Sequence, residues 1–483
     1  MSNPFKGDIK PKRVKLFKGG RPSLPFPHPW NYRKPIEILE TFFHDAENDD
    51  FNAKHNRYLT ILGFAPVLVT RDPEIIQAIT LNTGDKAGQF DRDTMPSEGI
   101  ARATGKDTLL YANGELWKHQ KKLSSGPFKK ASLFNPEQFS EFSELFRITV
   151  HKRLEAFHRR VDTDGQDFQV CLEPEIKSVM LELLTNCFFG AEINYDEIWD
   201  RYVPALEIVI DHIVKDTVLN KVGLSVLKLP SFTKGITKIK NAYSDFNQLT
   251  DIVLQTRDHE KGLWQKFKSD TPNEKLRSNI KVFLAGALEA TTSYASWAIS
   301  HIARNKALQN QLYEEVKNID DYTPENLKKA KTLCNVLDET LRLTPSLYFL
   351  PRKATVDTEV KTKTRGNIII PKGAHILLDV WHSNRHEDFW GIDKTGFSST
   401  EFQPERWNHI RENYEAGQEP LHFGFGYGPR ICPGKNLGQM EVALVVGAFV
   451  KLFKFKAVHS ENQEVASVST KPKDGVLIQL QLR

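Results

Sequence analysis

The chain has few cysteines and no long apolar run near its beginning. Its 483 residues include four cysteines, at positions 171, 187, 334 and 432, and their spacing fits neither a zinc site nor a disulfide framework. Such a sequence suits a reducing compartment, because stable disulfides belong to oxidising ones. The first fifteen residues, MSNPFKGDIKPKRVK, lack the apolar core of a signal peptide or membrane span. We therefore expect a soluble, cytoplasmic protein without a transmembrane segment.

The chain also lacks a strong excess of charge of one sign. A formal net charge of +5 over 483 residues is too small to indicate nucleic-acid binding. No Pro/Gly/Ser-rich linker, internal repeat or low-complexity tract divides the chain. The sequence predicts a basic, proline-rich segment at residues 1–30, followed by a single domain at residues 31–483 that acts as a monomer.

Long helical periods fill the middle of the chain, with apolar residues at spacings of three and four. The predicted helices run over residues 136–160, 174–189, 198–214, 239–259 and 278–304. Short strands are predicted within residues 57–70, 348–380 and 468–482. This pattern indicates a mainly α protein of the α+β type, with a large helical part and a small β-rich region.

A glycine-rich loop, FGYGPRICPG at residues 425–434, presents one cysteine just before an apolar helix that starts near Leu437. The glycines allow the backbone to turn tightly and to approach a flat partner closely. Arg430 offers a cation for an anionic group two residues before the sulfur. Amides at the start of the helix favour the thiolate of Cys432, which is the form that binds iron.

This loop resembles the haem-binding signature of the cytochrome P-450 monooxygenases. The matching positions are Phe425, Gly428, Arg430, Cys432 and Gly434. The resemblance implies that Cys432 is the iron ligand of a haem b buried between helices in the fold of that family. It also implies that the other four residues contact the haem.

Two upstream motifs resemble further parts of the same family. Glu339 and Arg342, three residues apart, lie on one face of a predicted helix. The segment FQPERW, at residues 402–407, resembles the one that supplies an arginine, here Arg406, to this pair. In the family the three side chains form a buried network behind the cysteine loop, and such a network is stable only when every charge is paired. We expect these three residues to have a structural role.

Other segments resemble the parts of the family that hold the haem propionates and face the substrate. Arg352 matches an arginine that meets a propionate, and the residues before it face substrate. Trp117 and Lys121, one helical turn apart, match a tryptophan and a basic residue that reach the propionates. The family more often has arginine at the second position, and lysine is a point charge rather than a bidentate fork. The predicted substrate-lining residues are Leu347, Tyr348 and Phe349.

The helix expected on the oxygen side of the haem departs from the family pattern. The family has an acid and an alcohol in adjacent positions, whereas Ala290 separates Glu289 from Thr291 in this chain. One helical step rotates a side chain by about 100°, so both residues cannot take the usual places on a regular helix. We expect Thr291 to be the hydrogen-bond donor in proton delivery. Glu289 is either a member of the same relay or a salt-bridged structural residue.

The resemblance implies insertion of one atom of O2 into an organic small molecule, by hydroxylation or oxidative O- or N-dealkylation. The chain has no flavin or iron–sulfur segment, so electrons, ultimately from NAD(P)H, must come from a separate partner. We expect a ferredoxin with its reductase or a flavodoxin-type protein, steered to lysines around Trp117 and to Lys435. The missing N-terminal anchor favours a soluble bacterial-type member of the family.

Two other functions remain open. A peroxide-driven haem-thiolate peroxygenase or isomerase is favoured only by the altered acid–alcohol pair. A non-catalytic haem sensor would leave several apparent substrate-facing segments without use. The segments expected to face substrate carry five charged residues: Arg92, Asp93, Arg102, Lys471 and Lys473. These charges either favour a polar or anionic substrate or lie on exposed loops.

Overall fold

The computed structural model describes residues 35–41, 43, 54–59, 67–84, 89–95, 97–124, 128–129, 133, 136–164, 168–219, 225–256, 262, 273–319, 324–362 and 367–483. The predicted basic segment at residues 1–30 lies outside this part of the chain. The single domain at residues 31–483 stays a prediction. None of the described helices combines the length and the apolarity that crossing a bilayer requires.

Helices make up most of the described chain. The α-helices are α1 Pro35–Thr41, α2 Pro73–Leu81, α3 Glu98–Thr104, α4 Gly114–Ser124, α5 Pro136–Asp164, α6 Glu173–Glu182, α7 Tyr195–Glu197, α8 Val203–Leu219, α9 Lys234–Gln255, α10 Asn273–Ile302, α11 Lys306–Val316, α12 Pro324–Lys329, α13 Lys331–Leu343, α14 Val380–Ser383, α15 Glu387–Trp390, α16 Ile392–Thr395, α17 Arg406–Asn413 and α18 Lys435–Leu452. Two π-helical turns, Leu183–Phe188 and Ile198–Tyr202, extend α6 and precede α8.

The predicted helices agree with these elements. The helix predicted at 136–160 continues to Asp164, and the one predicted at 278–304 begins five residues earlier, at Asn273. The helix predicted at 239–259 also begins five residues earlier, at Lys234. Thr233 explains this start, because its hydroxyl accepts a hydrogen bond from the amide of Ile236 and so caps the helix. The mainly helical α+β class is confirmed.

The strands form small sheets beside the helices. They are β1 Asn56–Leu59, β2 Val67–Thr70, β3 Phe90–Arg92, β4 Gln169–Cys171, β5 Phe349–Ala354, β6 Thr358–Lys361, β7 Asn367–Ile370, β8 His375–Asp379, β9 Phe453–Ala457, β10 Glu464–Ala466, β11 Thr470–Pro472 and β12 Leu477–Leu482. The largest sheet has the order β1-β2-β8-β5-β3, and in it only β2 and β8 are parallel. A second sheet has the order β4-β12-β9, and β6-β7 and β10-β11 are hairpin pairs.

Helix α10 crosses the centre of the helical part and packs against α6, α9, α13 and α18. Its second half is enclosed on all sides, because residues 292–300 are all buried. The same holds for α18, which is buried from Met440 to Val450. A helix segment that is buried around its whole circumference belongs in the core of a large protein. The beginning of α18, just after the cysteine loop, is thereby fixed against α10.

Candidate functional site

A backbone hydrogen bond closes the cysteine loop: the amide of Cys432 donates to the carbonyl of Phe425 at 2.9 Å. Gly426 and Gly428 have φ angles of 73° and 71°, in the left-handed region that side chains disfavour. A Cβ atom on Gly428 would lie 2.6 Å from the carbonyl oxygen of Thr80 in α2. A residue larger than glycine would therefore push the loop away from this helix.

The sulfur of Cys432 lies at the start of α18, where Gly434 is the N-cap residue. Burial raises the pKa of the Cys432 thiol to about 11, although the Gly434 amide and the Lys435 cation lower it. A bound metal ion displaces the thiol proton, because thiolate is the coordinating form. A Cβ atom on Gly434 would lie 3.9 Å from the sulfur, so the glycine keeps the space beside it open. This cysteine is therefore placed for metal ligation.

Three arginines from separate segments gather beside this loop. Arg92 and Arg352 lie opposite each other on β3 and β5. The side-chain oxygen of Asn113 accepts hydrogen bonds from the amide of Arg92 and from Nη2 of Arg430, both at 2.8 Å. Burial lowers the pKa of all three guanidinium groups. Repulsion by Arg92 lowers the pKa of Arg430 further, to about 9.

This arginine cluster fits a ligand with carboxylate groups. Nε and Nη1 of Arg430 and Nε of Arg92 are buried and have no hydrogen-bond partner among the described residues. Buried polar groups are nearly always hydrogen-bonded, and a buried cation without an anion is costly. Guanidinium groups match carboxylates in shape and in charge. The propionates of a haem whose iron is held by Cys432 would supply these anions.

Trp117 packs against Arg430, one of the three arginines of this cluster. Its ring is 3 % exposed, and the guanidinium carbon of Arg430 lies 4.3 Å from the ring centroid. Lys121 has its Nζ 4.9 Å from the same ring and donates to the carbonyl of Pro429 at 3.1 Å. The predicted pair thus meets the cysteine loop, and Lys121 is on its exposed side.

Glu339, Arg342 and Arg406 come together in a fully buried network, all at 0 % exposure. Arg342 donates from Nε and Nη2 to the two oxygens of Glu339, at 2.9 and 2.8 Å. Arg406 donates from Nε to Glu339 Oε1 at 3.2 Å. The amide of Gln403 and the indole of Trp407 donate to the same carboxylate, at 3.0 and 3.1 Å. This set of donors satisfies the buried acid.

Backbone carbonyls satisfy the remaining donors of the two arginines. Arg342 Nη1 donates to Asn384 and Ser399, each at 2.7 Å. Arg406 Nη1 donates to the carbonyl of Trp390 at 2.9 Å, and its Nη2 donates to that of Ser398 at 2.5 Å. The network therefore ties α13 to the segment that leads into the cysteine loop, which agrees with the structural role expected for it.

One face of α10 is open. Gly286 is exposed, and a Cβ atom there would have no atom within 4 Å. Ala287, Ala290 and Thr291 on the same face are partly exposed, whereas the neighbouring Leu288 is buried. These small residues leave space along the helix.

Thr291 joins this open face to the helix of the cysteine loop. Its hydroxyl donates to the carbonyl of Ala287 at 2.9 Å. A Cβ atom on Gly438 in α18 would lie 3.8 Å from Cγ2 of Thr291. The predicted donor therefore lies at a contact between α10 and α18, the helix that follows the cysteine loop.

Glu289 has the ion pairs that one of its two expected roles, the structural one, requires. Its side chain is 1 % exposed. Its carboxylate lies 3.0 Å from Nζ of Lys471 and 3.4 Å from that of Lys177, and it accepts a hydrogen bond from Ser469 at 3.1 Å. These contacts pair the carboxylate with residues of α6 and of the segment at 469–471, and a relay with Thr291 stays a prediction.

The three predicted substrate-lining residues differ in their surroundings. Leu347 is 40 % exposed and Phe349 is partly exposed. Tyr348 is 8 % exposed and packs in a cluster with Val69 and Trp381. Its hydroxyl donates to the carbonyl of Ser467 at 3.0 Å. Tyr348 therefore anchors the backbone rather than lining open space.

Sequence reasoning missed the place of Arg92, which it interpreted as a loop charge near substrate. The pairing of β3 with β5 brings this residue next to Arg352. A strand of three residues has too short a sequence pattern to predict its pairing with β5. Arg102 is also not free, because its Nε donates to Asp216 at 2.6 Å.

Comparison with known proteins agrees with this geometry. The chain matches the family model described as Cytochrome P450 over residues 47–479. A cytokinin hydroxylase of Arabidopsis thaliana is 24 % identical, with 98 % of this chain and 93 % of the relative covered. Cytochrome P450 52A3-B of Candida maltosa is 24 % identical, with coverages of 83 % and 78 %. An 11-oxo-beta-amyrin 30-oxidase of Glycyrrhiza uralensis is 23 % identical, with coverages of 86 % and 79 %.

These three relatives come from plants and a yeast, so they lend no support to the expected bacterial type. The family match spans most of the chain and carries with it the predicted fold, a haem cofactor and a monooxygenase activity that incorporates oxygen from O2. The chain belongs to the cytochrome P450 family.

Proposed function

We propose that the protein inserts one oxygen atom from O2 into an organic small molecule, by hydroxylation or oxidative dealkylation. It acts as a monomer with a single domain at residues 31–483 and receives electrons, ultimately from NAD(P)H, through a separate protein. Two of the relatives, the cytokinin hydroxylase and the 11-oxo-beta-amyrin 30-oxidase, support this reaction class. The observation that carries the proposal is the buried arginine cluster, with unpartnered nitrogens, beside a cysteine at a helix start.

Each residue of the loop has a defined part in this proposal. Cys432 ligates the iron of haem b, and Arg92, Arg352 and Arg430 bind the propionates, with Trp117 packed beneath. Haem with a thiolate ligand supplies the oxygen-activating chemistry when it is bound. The protein supplies the ligand, the fixed cations and a space from which water can be excluded. Phe425, Gly428 and Gly434 shape the loop, and Lys121 closes its exposed side.

Thr291 supplies protons on the open face of α10. Its hydroxyl now donates to the carbonyl of Ala287, one turn earlier. Rotation about χ1 lets the same hydroxyl donate into the open space, where a proton is needed. Thr291→Val, which keeps the shape and removes the hydroxyl, should retain haem but divert electrons from product to hydrogen peroxide. Equal peroxide yields in variant and wild type would rule out this role.

The ligand assignment is tested by the carbon monoxide difference spectrum of the reduced protein. Wild type should show the strongly red-shifted Soret band of a thiolate-ligated haem. Cys432→His should retain haem but show the unshifted band, because imidazole replaces the thiolate. Cys334→His is the matched control and should leave the red-shifted band unchanged. An unshifted band in folded, haem-loaded wild type would refute the assignment.

The redox partner docks on the lysines around the cysteine loop. Lys121, Lys122, Lys129 and Lys435 are exposed, whereas Lys118 pairs with a neighbouring glutamate. Lys130, a further lysine of the basic stretch that follows Trp117 in the sequence, lies outside the described residues. A basic surface attracts an acidic ferredoxin or flavodoxin-type protein, and this attraction weakens as salt is added. Reversing the charge at the four exposed lysines should slow electron transfer from such a partner and leave dithionite reduction unchanged.

One observation favours the peroxide-driven alternative. The position next to Thr291 is occupied by Ala290, and the nearest acid, Glu289, is held in ion pairs. Hydrogen peroxide brings its own protons and electrons, so a peroxygenase does not depend on protons that are relayed from solvent through an acid at this position. Turnover with hydrogen peroxide alone, at a rate that equals or exceeds turnover with electrons and O2, would establish this alternative.

A further inference from the structure

A turn at residues 467–470 is hydrogen-bonded to the segment that precedes β5. We call it the C-terminal turn. The amide of Thr470 donates to the carbonyl of Ser346 at 2.9 Å. The hydroxyl of Tyr348 donates to the carbonyl of Ser467 at 3.0 Å. The indole of Trp297 in α10 donates to the hydroxyl of Thr470 at 3.2 Å. The turn thus contacts both α10 and the segment that carries the predicted lining residues.

Charges add to these hydrogen bonds. Glu289 accepts from the hydroxyl of Ser469 in the turn and lies 3.0 Å from Nζ of Lys471, the next residue but one. Lys471 also contacts Glu173 at 2.9 Å, and Lys177 contacts Glu289 at 3.4 Å. The carboxylate of Glu289 therefore joins α10, α6 and the start of β11.

The charges of this cluster hold Glu289 in its ionised form. Burial by itself would raise the pKa of Glu289, but Lys471, Lys177 and the hydroxyl of Ser469 together lower it below its ordinary value. Two ammonium groups and a hydroxyl offset the charge of the buried carboxylate, although its Oε1 has no hydrogen-bond partner among the described residues. Removal of one partner would leave more of this charge unpaired. A carboxylate stabilised in this way is a poor proton donor near neutral pH.

The C-terminal turn lies next to the open face of α10. Glu289 is followed by Ala290 and Thr291, which are partly exposed on that face. The hydroxyl of Ser346 donates to the carbonyl of Ala290 at 3.0 Å. Because Ser346 also binds the turn through Thr470, a displacement of the turn reaches the open face through one shared residue.

We propose that Glu289 and Lys471 are positioning residues that hold the C-terminal turn against α10, next to its open face, and so select the size of the substrate that fits beside Thr291. This proposal rests on the proposed monooxygenase function. It also assigns the displaced acid of this chain a role in substrate selection instead of proton delivery.

Hydrogen exchange of the haem-loaded protein tests the positioning directly and needs no activity. Lys471→Gln and Ser469→Ala should each speed exchange of the peptide at residues 464–472 by about tenfold or more. Lys471→Arg should restore slow exchange. Lys473→Gln is the matched control, since Lys473 is exposed and donates to Gln463. Unchanged exchange in both Lys471→Gln and Ser469→Ala would overturn the proposal.

Two azole probes test selection by size. Imidazole is small enough to bind iron without reaching a pocket border, whereas 4-phenylimidazole extends further. Lys471→Gln should change the Kd of 4-phenylimidazole by about 3- to 10-fold, which corresponds to about 1 kcal/mol. The Kd of imidazole should stay unchanged. A general loss of stability would change both values alike, and that result would overturn the proposal.

Peroxide yield separates positioning from proton delivery. Glu289→Gln should change the Kd of 4-phenylimidazole while the share of electrons lost as hydrogen peroxide stays as in wild type. A higher peroxide share with an unaltered turn, as judged by hydrogen exchange, would make Glu289 a relay residue and refute the proposal. Failure of the monooxygenase function itself shows separately, in the carbon monoxide spectrum of wild type, and leaves the hydrogen-exchange result valid.

Discussion

Replacing Arg430 with methionine should weaken haem retention and stabilise the haem-free protein. The guanidinium group lies beside Arg92 and Arg352, and its pKa is lowered from 12.5 to about 9. At about 1.4 kcal/mol per pKa unit, holding this cation costs at most about 5 kcal/mol, even with the partial compensation that Asp91 provides. Methionine fills similar space without the charge but loses the two hydrogen bonds to Ala112 and Asn113. Each of these bonds contributes about 1 kcal/mol, so we expect a net stabilisation of about 1–3 kcal/mol.

The effect on the haem-bound protein has the opposite sign. Removing one partner of a buried ion pair costs about 3–5 kcal/mol. Haem should therefore dissociate from Arg430→Met faster by about two orders of magnitude or more. Transfer of haem to an excess of apomyoglobin measures this rate, and urea denaturation of the haem-free protein measures the stabilisation.

Arg147→Met is the control for this prediction, because Arg147 pairs with Glu144 on an exposed helix face. It should alter neither the haem dissociation rate nor the free energy of unfolding by a measurable amount. If Arg430→Met retains haem as long as wild type, or if its haem-free form is less stable than wild type, the assignment of the arginine cluster to an anionic ligand is wrong.

The other predictions concern buried carboxyl groups. Glu339→Ala should lower the free energy of unfolding, as measured by urea denaturation, by about 3–5 kcal/mol, because two buried guanidinium groups lose their anion. The control Glu359→Ala, at an exposed position, should lower it by less than about 0.5 kcal/mol. The lowered pKa of Glu289 gives a stabilisation that is complete above its ordinary value of 4.5 and is lost as the pH falls through the lower folded value. Glu289→Gln should therefore flatten the acid side of the stability profile, and a slope unchanged from wild type would contradict this. Burial raises the pKa of Glu441 to about 8, so its ionisation opposes folding increasingly as the pH rises above 4.5. Glu441→Gln should be more stable than wild type by about 2–4 kcal/mol at pH 8 and no more stable at pH 4, as measured by urea denaturation at each pH.

Residues that act through local patterns could be predicted from the sequence. The long helices follow from apolar residues at spacings of three and four, and the cysteine loop follows from its glycines and its place before an apolar helix. Glu339 and Arg342 are three residues apart and therefore share a helix face wherever the helix begins. Their pairing can be predicted without knowledge of the tertiary structure. The contact of Arg406 with them was inferred from resemblance, and the structure brings the three together.

Residues whose neighbours are distant in the chain could not be predicted. Arg92 meets Arg352 only because two short strands pair across some 260 positions. Lys471 was considered as a partner for an anionic substrate, yet Glu173 and Glu289 already neutralise it. Tyr348 lies in a stretch where residues alternate as in a strand. This alternation shows which residues share a face of the strand, but it does not show which face meets the substrate. In each of these cases the partner, rather than the residue itself, decides the role.

The sheet β4-β12-β9 has a consequence for how the chain is made. Cys171 in β4 pairs with Leu477 in β12, so about 300 residues must be synthesised between the two partners. At ribosomal rates of about 5–20 residues per second, β4 waits roughly 15–60 s for its neighbour. Cys432 and helix α18 also emerge late, after most of the helical part has left the ribosome. Haem capture is therefore a late event in biogenesis. A ribosome that stalls before β12 is complete releases a chain in which β4 has an unpaired edge, and such an edge promotes aggregation.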